Sequence, residues 1–153
     1  MIKILFLCHG NICRSPMAEF IFKSLDINNE FYVNSKAISN EEIGNSIYPK
    51  ALLKLKENNI KVDNHIATRV TKEDMDNYDY IITMDNNNIR LLNNLYGLNN
   101  KVHKLLEYVD REEDIADPWY TDNFDVAFED IYDGCVGLYN FLKNKKNVLT
   151  NRF

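Results

Sequence analysis

The 153-residue sequence predicts a three-layer α/β/α domain built on a parallel sheet. Three observations carry this. The run Ile2 to Leu7 is apolar except for Lys3, as a strand buried on both faces requires. Strand-like and helix-like stretches then alternate along the chain. Finally, the last stretch reads as a long amphipathic helix of the kind that covers a sheet face. Parallel strands joined by helices need right-handed crossovers, which put helices on both faces. In such sheets ligands bind beyond the carboxyl ends of the strands. The turn that follows the first strand, residues 8–15, lies at that edge.

After Ile2–Leu7, Pro16 suits a first helical position, with Ser15 as N-cap and Glu19 in the first turn. Met17, Phe20, Ile21, Ser24 and Leu25 recur at helical spacing and carry that helix to about Asp26. "FYVNSKAI" (31–38) is a second strand. "YPKALLKLKENN" (48–59) is a helix with Ala51, Leu52 and Leu55 on one face, ended by Asn58 and Asn59. "YDYIITMD" (78–85) is a third strand, and "NNNIRLLNNLYG" (86–97) is a helix closed by Gly97. "KVHKLLEY" (101–108) starts as a short fourth strand. Residues 123–146 form the long helix despite Gly134 and Gly137. Phe124, Ala127, Phe128, Ile131, Cys135, Leu138, Tyr139 and Leu142 line its apolar face, and a Lys-rich end suits the helix dipole.

Bulk properties narrow the function. The length suits a single domain, residues 1–153, with a substantial core. No run is long enough to span a membrane, and Ile2–Leu7 lacks the cleavage site of a signal peptide. The expected location is cytoplasmic, with secretion without a signal left open. A net charge of −5 argues against a nucleic-acid partner but not against a small anion held locally. The three cysteines, Cys8, Cys13 and Cys135, do not form a disulfide framework, and no His/Cys cluster has zinc spacing. Cys135 falls on an apolar helix face and reads as core.

Two of those cysteines share the turn "CHGNICRS" (8–15). A turn between strand and helix can point its backbone N–H groups inward as an anion nest. Such a site, with Arg14 beside it, favours a thiolate at Cys8. Arg14 adds a planar fork that can hold two phosphate oxygens. A nucleophile inside a dianion cradle is what phosphoryl transfer needs. A phenolate leaving group also needs a proton, and the turn contains no acid. Asp117 is a candidate, stiffened by Pro118, with Trp119 and Tyr120 as faces for a substrate ring. By residue type alone Asp110, Glu112, Glu113, Asp114 and Asp122 compete with it. His9 is tempting as a base, but a thiolate needs none, and its side chain is expected to point outward. Curling of the turn could bring Cys13 close to Cys8, where a reversible disulfide would shield the nucleophile from over-oxidation.

"CHGNICRSPMAE", with Cys-x5-Arg-Ser at 8–15, resembles the signature of the low-molecular-weight protein tyrosine phosphatases. The segment 64–92 resembles the family's central segment, and "DPWY" (117–120) its Asp-Pro-aromatic-aromatic loop. The resemblance implies a Rossmann-like four-stranded parallel sheet in the order 2-1-3-4. It implies hydrolysis of phosphotyrosine in proteins or peptides, with no metal and no cofactor, by a monomer that at most dimerises weakly. Cys8 would attack phosphorus, Arg14 would bind the phosphoryl oxygens, and Asp117 would be acid and then base. Ser15 would hydrogen-bond the thiolate, and Asn11 would hold the loop, buttressed by His65. His9, Gly10, Asn11, Ile12, Cys13, Ser15, Trp119 and Tyr120 would line the substrate site. The family's second cysteine favours the redox role for Cys13. Arg69 and Asp85 are expected to make supporting polar contacts. Glu41 stands at a rim position where family members often carry an aromatic residue, which would shift preference away from acidic phosphopeptides. Protein-arginine phosphatases share the fold but tend to carry Thr at the position of Ile12, which ranks phosphoarginine second. An arsenate reductase would need a further relay cysteine, and Cys135 lies in a helix.

Overall fold

A computed structural model describes the backbone of residues 1–151. Four parallel strands, β1 (Ile2–Cys8), β2 (Phe31–Ala37), β3 (Tyr80–Thr83) and β4 (Val102–Lys104), form one sheet in the order β2-β1-β3-β4. β1 is central, pairing with β2 from Ile2↔Phe31 to Cys8↔Ala37 and with β3 from Ile4↔Tyr80 to Phe6↔Ile82. The alternation of strand side chains divides the core. Ile4, Phe6 and Cys8 face one apolar cluster, and Leu5 and Leu7 face the other. The first cluster is covered by α1 (Arg14–Leu25), α2 (Pro49–Glu57) and α6 (Phe124–Asn151). The second is covered by α3 (Lys72–Asn77) and α4 (Asn86–Tyr96), through Met75 and Leu92. Cys8 therefore emerges from the central strand on the α1 side of the sheet.

Two boundaries differ from the sequence reading, for physical reasons. α1 begins at Arg14, with Cys13 in the N-cap position, so Ser15 is inside the helix and Glu19 is past its first turn. Ser15 does not cap because its hydroxyl is turned to the Cys8 sulfur, 3.0 Å away. α6 runs on to Asn151, so its lysines lie short of the last turn. They act through side chains instead: Lys143 bonds Glu30 at 2.7 Å, and Lys145 bonds the Tyr80 hydroxyl at 3.0 Å.

Two short helices carry no clear periodicity and escaped the sequence reading. α3 is started by a Thr71/Asp74 capping box. α5 (Pro118–Thr121) is started by Asp117, whose Oδ1 accepts from the Trp119 N–H at 3.0 Å. β4 is followed by a 3₁₀ turn, Leu105–Val109, against which α6 packs. The glycines of α6 permit that approach. A Cβ on Gly137 would lie 2.5 Å from the Tyr108 carbonyl oxygen, and one on Gly134 would lie 2.5 Å from Leu105 Cγ. At Gly97, φ is +81°, which ends α4 as expected.

Candidate active site

The turn between β1 and α1 is wound around the Cys8 sulfur. The backbone N–H groups of Asn11 and Ser15 point at Sγ from 3.3 and 3.4 Å, and the Ser15 hydroxyl lies at 3.0 Å. Ser15 Oγ accepts from Asn11 Nδ2 at 2.8 Å, which leaves its own proton free to face the sulfur. Convergent donors of this kind match a thiolate acceptor.

Asn11 organises the winding. Its φ of 61° is left-handed, a conformation that Asn tolerates better than most residues. Its side chain is fully buried, and its polar atoms are partnered. Nδ2 donates to Ser15 Oγ and, at 3.0 Å, to Ser35 Oγ, while Oδ1 accepts from Thr68 N at 3.4 Å. Ser35 in turn donates to Glu19 Oε1 at 2.6 Å. His65 Nε2 donates to the Asn11 carbonyl at 2.8 Å, so His65 braces the turn from outside.

Arg14 is only 2% exposed. Nη1 donates to Asp85 Oδ2 at 2.7 Å and to the Ile115 carbonyl at 2.8 Å, and Nη2 lies 3.4 Å from Asp117 Oδ2. Burial disfavours the guanidinium charge, yet Cys8, Asp117 and Asp85 outweigh it and raise the Arg14 pKa further. Asp85 caps α4, so the end of β3 supplies the group that aims Arg14. Cys13 is buried beside Cys8, and burial first, then the charges of Cys8 and Asp117, pushes its thiol up. Cys8, Cys13 and Cys135 are all unpaired thiols.

A cleft opens above the turn, lined by residues 8–14 with Glu41, Glu42, Asp117, Trp119 and Tyr120. It unites the turn, the rim glutamate and the "DPWY" segment that the sequence had singled out separately. Trp119 is 51% exposed and packs edge-on against Tyr48, with ring centroids 5.1 Å apart. His9 sits on the rim, partly exposed, with Nε2 3.0 Å from Glu41 Oε2. Arg69 Nε donates to the Ile38 carbonyl at 3.2 Å, and Arg69 does not line the cleft. Asp110, Glu112, Glu113, Asp114 and Asp122 do not line the cleft.

The family model for low molecular weight phosphotyrosine protein phosphatase matches residues 3–148. The chain belongs to that family. It is 37% identical to the low molecular weight protein-tyrosine-phosphatase YfkJ of Bacillus subtilis, over 97% of this chain and 100% of that protein. It is also 37% identical to the human low molecular weight phosphotyrosine protein phosphatase, over 88% of this chain and 89% of that protein. The crystal structure of YfkJ superposes with a TM-score of 0.91 at 38% identity, covering 95% and 97% of the two chains. A Drosophila arginine phosphatase superposes with a TM-score of 0.83 at 28% identity, covering 93% and 98%.

Within this phosphatase fold, several groups were missed from sequence: Glu42 on the rim, Tyr48 behind Trp119, the Ile115 carbonyl behind Arg14, and the Ser35–Glu19 pair behind Asn11. A backbone carbonyl leaves no side-chain signal. Ser35 carries a weak one, as a small polar residue at an inward position of β2. The network around Asn11 sets a prediction. Asn11→Ala removes the partner of two buried hydroxyls, which should cost about 2–3 kcal/mol. Urea unfolding should read that loss, and titration calorimetry should show phosphate binding weakened about tenfold or more. Unchanged stability and unchanged phosphate affinity would contradict this role.

Proposed function

We propose that this chain is a protein tyrosine phosphatase that works through a phosphocysteine at Cys8. The observation that carries the reading is the convergence of the Ser15 hydroxyl and two backbone N–H groups on Cys8 Sγ, with the Arg14 guanidinium held beside them. Phosphoryl transfer asks mainly for in-line attack and for stabilised charge on the equatorial oxygens. Cys8 Sγ attacks phosphorus as the aryl P–O bond breaks. With Nη1 fixed by Asp85 and Ile115, Arg14 offers Nε and Nη2 to the equatorial oxygens. Asp117 gives a proton to the departing phenolate. It then takes one from the water that breaks the S–P bond and frees phosphate.

Trp119 and Tyr120 form one wall for the substrate ring, and Ile12 of the turn lines the same cleft. An apolar Ile12 favours a phenyl ring over a guanidinium. A phosphotyrosine peptide should therefore be hydrolysed faster than the matched phosphoarginine peptide, although an arginine phosphatase shares the fold.

The assignment of Asp117 is tested by the leaving group. Asp117→Asn should lower kcat/KM, which reports only the steps up to release of the phenol, about 10²–10³-fold on phenyl phosphate. The loss should be far smaller on p-nitrophenyl phosphate, whose nitrophenolate leaves without a proton. Equal losses on both would remove Asp117 from the proton transfer. Cys8→Ser should abolish turnover of either substrate, and retained activity would sink the mechanism.

Cys13 is read as a redox guard. Peroxide oxidises the Cys8 thiolate to a sulfenic acid, and the Cys13 thiol condenses with it, forming the disulfide and releasing water. After exposure to excess peroxide long enough to carry an unguarded sulfenic acid on to sulfinic acid, dithiothreitol should restore the wild type but leave Cys13→Ser largely inactive. Equal recovery in both would leave Cys13 as packing alone.

A further inference from the structure

The rim of the cleft carries two glutamates, Glu41 and Glu42. His9, the residue after the nucleophile, pairs with Glu41 Oε2 at 3.0 Å. The loop that carries Glu41 is tied to the same residue by its backbone. Ser39 N and Ser39 Oγ both donate to the His9 carbonyl, at 3.0 and 2.9 Å. Glu42 lies over the turn, its Cγ 3.2 Å from where a Cβ on Gly10 would stand, and Asn45 Nδ2 holds its Oε2 at 2.6 Å. Two carboxylates are thus fixed on one wall, and the Glu41 side chain is 68% exposed.

Glu41 is held by an imidazole and Glu42 by an amide, not by a lysine or arginine. Arg14 is buried, engaged by Asp85 and Asp117, and committed to the phosphoryl dianion. Two lysines of α2 face other acids: Lys50 pairs with Asp122, and Lys54 with Asp125 and Glu57. The cleft is also lined by Trp119 and Tyr120, the latter 80% exposed, and by Asp117, whose carboxylate faces Arg14. A phosphotyrosine ring seated against those aromatics would leave the flanking peptide residues against Glu41 and Glu42.

We propose that Glu41 and Glu42 select phosphotyrosine peptides that carry a lysine or arginine beside the phosphotyrosine, with His9 as the positioning residue for Glu41. This rests on the tyrosine phosphatase reading above and specifies its substrate class. Opposite charges at a solvated rim raise encounter and affinity, acidic flanks are repelled, and salt weakens both effects.

The test uses two phosphotyrosine peptides that differ only in flanking Lys or Glu, with p-nitrophenyl phosphate as a substrate that has no flanks. At low salt the wild type should favour the Lys peptide in kcat/KM by about tenfold, shrinking as salt rises. In Glu41→Gln/Glu42→Gln the ratio of the two peptides should approach unity, and in His9→Gln it should fall part-way. A wild-type ratio near unity, a preference for the Glu peptide, or a ratio kept in the double variant would overturn the proposal while p-nitrophenyl phosphate is still hydrolysed. If neither peptide nor p-nitrophenyl phosphate is hydrolysed, the phosphatase reading fails and takes this proposal with it.

Discussion

The site depends on one constraint: two backbone N–H groups and the Ser15 hydroxyl must point inward at Cys8 and stay there. Such a turn has few hydrogen bonds of its own, so its shape must be imposed from outside. Asn11 does this from a fully buried position, in a left-handed conformation, through Ser15, Ser35 and Thr68. His65 closes the last gap by holding the Asn11 carbonyl. Each bond is ordinary in strength, but each unmade one would leave a buried polar group unsatisfied. The turn is therefore preorganised, and stabilising developing charge on a phosphoryl group then needs little rearrangement.

The sheet makes those fixings rigid. β1 is flanked on both sides, and its register with β2 sets Cys8 opposite Ala37 and Phe6 opposite Ser35. The carboxyl ends of three adjacent strands thus serve one site. β1 delivers Cys8, β2 brings Ser35 behind the turn, and the residues after β3 bring Asp85 to Arg14. The segment before α5 adds the Ile115 carbonyl and Asp117 from the far side. Arg14 is where these contributions meet, which is why a 2% exposed guanidinium can stay charged.

Much of this was legible from sequence because strong local rules govern it. Ile2–Leu7 could only be a buried strand, and the spacing of Ala127, Ile131, Cys135, Leu138 and Leu142 described the core face of α6, which is where they sit. The sheet order came from family resemblance, since strand order leaves no trace in periodicity. α3 and α5 are too short for a hydrophobic stripe, and only their caps, Thr71 and Asp117, mark them. Ser15 misled because a serine before Pro16 suits an N-cap by type, whereas the sulfur of Cys8 claims its hydroxyl. Asp117 was one of six acids by residue type, and only the path of the chain from Ile115 brings it to Arg14.

The central claim is that Cys8 takes the phosphoryl group. The most direct measurement is acid quench of Asp117→Ala with an aryl phosphate, followed by mass spectrometry of the peptide that spans the turn. The account predicts that this variant, slowed in releasing phosphate, carries a phosphoryl group on Cys8. A phosphoryl group on Ser15 or elsewhere, or none while turnover continues, would contradict it.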